Sequence, residues 1–204
     1  MTDVPPDPYA LPVVEAARDV AASRLFRIEQ LELRFDNGVR RTYERLPARG
    51  RQAVIVVAID DTGQVQLVQE YAAGLHRYQL TLPKGTAEAN ETLEAAAVRE
   101  LREEVGLGAR TLTYLRRLNI APSHMGFTIH VVLAQGLYPA PLEGDEPEPL
   151  VVVPWPLQEI DALFLHEQFD EARAIAALQL ARLRLAQGAP FANTETPARA
   201  LANA

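Results

Sequence analysis

Glu100, Glu103 and Glu104 carry the spacing in this chain that most directly suggests chemistry. They lie in Leu93–Val105, a stretch without Gly or Pro and rich in Ala, Leu and Glu, behind capping side chains at Asn90–Thr92. That composition predicts a helix, on which positions i, i+3 and i+4 share an arc of about 100°. Ala97, Val98, Leu101 and Val105 form the adjoining apolar stripe, Ala96 leaves room inside the acidic arc, Arg99 flanks it and Arg102 points away. Like charges so placed oppose the helix by a few tenths of a kcal/mol per pair, so something positive is expected there. Carboxylate, carbonyl and water oxygens suit Mg²⁺, with Mn²⁺ as the alternative ion. No Cys and only four His argue against zinc. The bland alternative is a solvated acidic face laced by Arg99 and Arg102.

The preceding loop shifts the weight toward a metal site. Pro83 and Gly85 predict a tight turn able to aim a backbone carbonyl at an ion. From Gly85 the chain reads G-x5-E-x7-R-E-L-x-E-E-x-G-L, filled by Gly85, Glu91, Arg99, Glu100, Leu101, Glu103, Glu104, Gly106 and Leu107. This nine-position pattern resembles the signature of the Nudix hydrolase superfamily, which cleaves a nucleoside diphosphate linked to a second group X. The resemblance implies that Glu100, Glu103 and Glu104 hold the metal, and that Glu103 counts among the catalytic residues. It implies that the Lys84 carbonyl joins the ligands, and that Glu91 and Arg99 pair to brace the Gly85 loop against the helix. The Lys84 ammonium is a candidate contact to phosphate.

A base is still needed to deprotonate the attacking water. The segment Leu142-Glu143-Gly144-Asp145-Glu146-Pro147-Glu148-Pro149 reads as a stiff acidic loop; on composition alone, it equally fits a solvated one. Its position resembles the catalytic loop of ADP-ribose pyrophosphatases, and by that resemblance Glu146 is the first choice for base, Glu148 the second and Glu143 a more distant third. The segments SRLFRIEQLELRFDNGVRRTYER, QEYAAG, LPKG, APS, LYPAPLEGDEPEP and DEAR are similar to the bacterial ADP compounds hydrolase group. That similarity implies action on ADP-ribose, NADH and diadenosine polyphosphates by a homodimer whose N-terminal sheet, through Arg41, Arg40 and Phe26, contributes to an adenosine pocket. An arginine able to stack on adenine or bind phosphate fits that role, although a pair of arginines on a strand is as often plain surface. His124, in the loop Ala121–Gly126, is a further candidate substrate contact. Ala72 stands where many ADP-ribose pyrophosphatases have Arg, which suits a pocket tolerant of different X groups. Rivals are the same chemistry on another nucleoside diphosphate sugar such as GDP-mannose, a silent nucleotide-sensing module, and a plain dimeric scaffold.

The elements that must position these groups follow from periodicity. Alternation over Phe26–Phe35, a hairpin signal at Asp36-Asn37-Gly38 and a return over Val39–Leu46 predict a small antiparallel sheet. The apolar run Ala53–Asp60 predicts a strand buried on both faces, with further strands at 64–71, 78–82, 111–120, 128–133 and 150–153. Gly106 and Gly108 are expected to end the helix. A short helix is expected at 157–165 and a longer one at 170–185, packed through Ile175, Leu178, Ala181 and Leu185. The fold class is therefore α/β, a Nudix α/β/α sandwich with a mixed sheet, preceded by the small N-terminal antiparallel β-sheet. The domains are a flexible tail (1–12), an N-terminal β-subdomain for dimerisation and substrate (13–50), the hydrolase domain (51–187) and a second tail (188–204). At 204 residues, the chain has length for a sizeable core. A net charge of −7 without a basic stripe speaks against nucleic acid or an anionic membrane as partner. No targeting or membrane-spanning run is visible, and the lack of Cys fits a reducing compartment, so the expected location is cytoplasmic.

Overall fold

A computed structural model describes residues 9–48, 50 and 52–188. The tails expected at 1–12 and 188–204 lie largely outside these residues; those of them that are described, 9–12 and 188, carry no helix or strand. The chain divides into two compact units.

The N-terminal unit comprises residues up to 49 together with 119–127. It is a three-stranded antiparallel sheet in the order β1 (Val13–Ala22), β2 (Arg27–Arg34), β3 (Arg40–Arg45). The expected hairpin is β2–β3, turned by Gly38 at φ +79°. β1 was not expected as a strand: VVEAARDVAA does not alternate, and its ten residues are all exposed. Pairing with β2 supplies what its composition lacks. Residues 119–127 join this unit through a bridge between Leu46 and Met125, which the continuous boundary at residue 50 did not foresee.

The second unit carries two sheets. One runs β10–β5–β6 and the other β7–β4–β9–β8, formed by β4 (Ala53–Ala58), β5 (Gln64–Ala72), β6 (Arg77–Thr81), β7 (Lys84–Thr86), β8 (Leu107–Asn119), β9 (Thr128–Pro139) and β10 (Val151–Pro156). The four-stranded sheet is mixed, since β4 pairs parallel with β9 and antiparallel with β7. As its apolar run requires, β4 is buried on both faces. Val54, Val56 and Ala58 meet Leu93, Ala96, Ala97 and Leu101 of helix α1 (Leu93–Glu104). The alternate residues Ile55, Val57 and Ile59 meet α2 (Ile160–Leu163) and α3 (Ala172–Gln187). Helix, sheet and helix thus sandwich one strand whose period of two feeds both cores. Full burial of a side chain such as Leu101 contributes about 1.5–3 kcal/mol.

Three local expectations are corrected. Lys84–Thr86 forms an edge strand rather than a free tight turn, because its backbone gains partners on β4. Gly108 is not a helix stop but lies buried within β8, where an added Cβ would sit 2.6 Å from the Tyr138 ring; Gly106, at φ +77°, ends the helix as a left-handed C′ glycine does. Leu185 is exposed; α3 packs through Leu178 and Ala181 as expected, with Ile175 partly buried against the same core, and adds Ala174 and Ala177, small residues that let it lie close to the sheet. Among the described residues no helix is long and apolar enough to cross a membrane.

Candidate active site

Helix α1 begins at Thr92, whose hydroxyl accepts from the Ala95 N–H at 3.1 Å and satisfies one of the orphan donors of the first turn. Asn90, just before, takes φ +69°, a conformation that Asn tolerates better than most residues. From this start the helix carries Glu100, Glu103 and Glu104 along a cleft of about 880 Å³, walled by Lys84–Thr86 on one side and by Leu142–Leu150 on the other.

Arg99 is the hub. Its Nε and Nη2 donate to the two carboxylate oxygens of Glu91 at 3.0 and 3.1 Å, a bidentate pair. Nη2 also donates to the Thr86 carbonyl at 3.0 Å, and Nη1 to Glu103 at 2.8 Å. The same Nη1 lies 2.8 Å from a Glu100 oxygen. The guanidinium thereby ties the strand β7, the loop at Glu91 and two helix carboxylates together. Glu91 is held below the usual carboxylate range by Arg99, with burial opposing and the Glu88 N–H assisting.

The other carboxylates move the opposite way. Burial pushes Glu100 up against the pull of Arg99. Burial also pushes Glu104 up to about 8, Glu100 and Glu70 adding to it while Lys84 opposes. Glu104 accepts from the Lys84 N–H at 3.3 Å. Gly85 fits where it does because it lacks a side chain: an added Cβ would lie 2.0 Å from a Glu100 oxygen.

The acidic loop is anchored to the end of the helix. Leu142 N–H donates to the Arg102 carbonyl at 3.1 Å and Arg102 Nε donates to Ala140 at 2.9 Å, so Arg102, which faces away from the glutamates, fixes the loop that passes over them. A Cβ added at Gly144 would lie 3.4 Å from the Glu103 Cβ. Within this loop the two base candidates part ways: Glu148 accepts from the Tyr78 hydroxyl, whereas Glu146 is pushed up by burial and by the charges of Glu70 and Asp145, with Lys84 opposing.

The Lys84 ammonium is not free to meet phosphate. It is bound to Glu70, with Glu171 4.0 Å away, and Glu171 itself accepts from Thr81 at 2.6 Å. Glu70 and Glu171 are site-adjacent groups that the sequence reading passed over. Their signals were a half-buried carboxylate, the sole charged residue of strand β5, and a carboxylate at the start of α3.

The remaining candidates belong to the N-terminal unit. Arg40 is bound to Glu15 at 2.8 Å, while Arg41 donates to the Arg40 carbonyl and pairs with no carboxylate among the described residues. Phe26 is exposed. His124 is exposed beside Ser123, 3.0 Å from its hydroxyl.

The donor set at α1 is all oxygen and crowded with negative charge, which fits a hard divalent cation. Among the described residues no three of these side chains converge as a finished cage, since Arg99 holds two of the carboxylates.

Known proteins decide the family. The NUDIX domain matches residues 49–189, and the NudE-type Nudix hydrolase N-terminal domain matches residues 12–45. The chain belongs to the Nudix hydrolase family. It is a pyrophosphohydrolase by that membership, in a family whose members generally use divalent metal ions. It is 47% identical to the ADP compounds hydrolase NudE of Escherichia coli (strain K12), over 84% of this chain and 91% of that one. The ADP-ribose pyrophosphatase of Bacillus subtilis (strain 168) is 29% identical, over 77% of this chain and 84% of its own. A crystal structure of an ADP compounds hydrolase superposes with a TM-score of 0.85 at 44% identity, covering 91% of this chain and all (100%) of that one.

Proposed function

We propose that this Nudix enzyme hydrolyses the diphosphate of ADP-linked compounds, with ADP-ribose, NADH-type dinucleotides and diadenosine polyphosphates as substrates and AMP as a product. The observation that carries the reading is the partly buried crowd of carboxylates on α1 beside a loop holding Glu146, in a chain whose similarity to an ADP compounds hydrolase spans most of its length. Glu100, Glu103, Glu104 and the Lys84 carbonyl are assigned to Mg²⁺, or to Mn²⁺. When bound, the ion supplies charge neutralisation for the diphosphate and acidifies water. Glu91 and Gly85 keep the β7 strand and Arg99 in place beneath the helix. Glu146 takes the proton of the attacking water; the water oxygen bonds to phosphorus, and the bridging P–O bond breaks, its electron pair leaving with the other phosphate. We assign Glu148 to anchoring the loop through Tyr78 rather than to proton transfer, because its carboxylate is already engaged there.

Arg41 and Phe26, exposed on the N-terminal sheet, are assigned to the adenosine end. Arg40, held by Glu15, and His124 are lesser candidates. The exposed apolar residues Val13, Val14 and Val20 of β1 favour a second copy of this chain as their cover, making a homodimer. Cytoplasm is the assigned compartment, on the cysteine-free composition.

The test offers ADP-ribose, NADH, diadenosine triphosphate and GDP-mannose side by side, with Mg²⁺ in ¹⁸O-labelled water and mass-spectrometric readout. AMP released from the adenine compounds is the expected result, and the label names the attacked phosphorus. Cleavage of GDP-mannose alone would overturn the adenosine assignment, and cleavage of nothing would overturn the enzyme reading for these substrates. Light scattering in solution tests the dimer.

A further inference from the structure

A second cleft, of about 810 Å³, shares the segment Glu146–Leu150 with the glutamate cleft, so the acidic loop forms a wall of both. Its floor lies on the sheet β10–β5–β6. Tyr71 and Tyr78 are cross-strand partners there, with ring centroids 5.7 Å apart at 63°, and they remain 45% and 47% exposed. Tyr71 is held from below by a 2.7 Å hydrogen bond between its hydroxyl and His76 Nδ1, and Tyr78 by its bond to Glu148. Two large aromatic faces fixed at this exposure have no partner ring beyond each other and His76 among the described residues.

The charges around them select against phosphate. Glu146, Glu148 and Glu167 line the cleft, and its basic lining residue, Arg77, is bound to Asp170. Such a surface repels an anion. It offers stacking faces and carboxylate acceptors, the features that suit a flat ring, neutral or cationic, bearing N–H donors.

We propose that this cleft is the subsite for a ring carried on the X side of the substrate, a nicotinamide or a second adenine, so that the enzyme favours dinucleotides over ADP-linked bare sugars. The assignment rests on the function proposed above, since the shared loop is what would bring the ring and the scissile diphosphate into one substrate. A ring stacked on a tyrosine face contributes about twofold to tenfold in affinity.

The experiment titrates two probes of the X side, nicotinamide mononucleotide and ribose 5-phosphate, into the full chain by calorimetry with Mg²⁺ present. The parent is expected to bind the nicotinamide probe about tenfold more tightly. Tyr71→Leu and Tyr78→Leu, both at half-exposed positions, should erase that advantage, and Tyr71→Phe should keep it. Equal affinity of the parent for the two probes overturns the subsite, as does an advantage that survives both leucine variants. The probes are not cleaved, so a nicotinamide preference in a chain that hydrolyses no ADP-linked compound would sink the proposed function and leave the subsite standing.

Discussion

Replacing Gly85 with alanine separates sterics from every other role of that residue. Gly85 is extended within β7 and is not among the glycines at positive φ, so alanine meets no backbone penalty there. What it meets is Glu100. The new Cβ would sit 2.0, 2.2 and 2.3 Å from Oε1, Cδ and Oε2 of that carboxylate, where about 3.5 Å is a comfortable separation. Glu100 must therefore retreat by about 1.5 Å. It starts from a buried position, 7% exposed, beneath Arg99 and on a helix whose neighbouring positions are packed against β4. Overpacking of this kind costs about 1–3 kcal/mol of stability. A displacement of that size in a group that positions the reaction costs about a hundredfold in rate. We therefore expect Gly85→Ala to melt a few degrees lower, to lose about two orders of magnitude in kcat on the best substrate, and to need more Mg²⁺ for half-maximal activity. Adding Glu100→Asp should restore most of the melting temperature, by shortening the obstructing side chain, without restoring the rate. Parental kcat and metal requirement in Gly85→Ala would refute the reasoning, because they would show that Glu100 can move freely and that its place does not matter.

Arg99→Ala leaves Glu91, Glu100 and Glu103 without their shared cation, and a loss of about 2–4 kcal/mol is expected; calorimetric melts should show Mg²⁺ recovering part of it, and a metal-independent loss would count against the shared role. Glu146 works as a base only when ionised and its carboxyl lies above its ordinary 4.5, so kcat/KM should fall as pH drops through that raised value, and the acid limb should disappear from the residual activity of Glu146→Gln. Asp60 accepts from Thr62 N–H at 2.9 Å, Thr62 Oγ1 at 2.7 Å, Gln64 N–H at 3.0 Å and Gln66 Nε2 at 3.2 Å. Burial works to raise its pKa, but these donors outweigh it and hold the carboxyl below its ordinary value. Its contribution is thus full above the unfolded pKa and is lost as pH falls through the folded one. Asp60→Ala should cost about 1.5–3 kcal/mol near neutrality, and the difference from the parent in urea melts should shrink below about pH 4.

What was legible in the sequence was whatever repeats with a period or fills a fixed spacing. The run AVIVVA announced a strand with two buried faces, and the glutamate register announced the helix face, because both are local patterns. β1 was not legible, since its partner β2, not its own composition, makes it a strand. Nor was the true reason for Gly85, which is a clash with a side chain fifteen positions away in sequence rather than a backbone angle. The fate of Lys84 was hidden for the same cause: its ammonium is claimed by Glu70 and faces Glu171, and only the packing of β5, β7 and α3 brings those three segments together. Long-range partners decide such cases, and a one-dimensional reading cannot rank them.

The hydrogen bonds of Arg99 also divide the carboxylates of the Gly85–Leu107 pattern into two kinds. Glu91 binds the guanidinium through both oxygens and takes in addition an N–H from Glu88, so its charge is fully spent within the protein. Glu100 and Glu103 share a single nitrogen, Nη1, and each keeps a carboxylate oxygen that this nitrogen does not engage. A divalent cation entering the cleft can therefore draw on Glu100 and Glu103 while Glu91 retains Arg99, and the guanidinium need not leave. Glu104 has no such arginine; its elevated pKa reflects burial without an adequate cation. On the metal assignment proposed above, a hard cation would draw on Glu100 and Glu103 beside Arg99 and would favour the ionised form of Glu104, whose carboxyl burial holds up at about 8, so its binding near neutrality should release a proton.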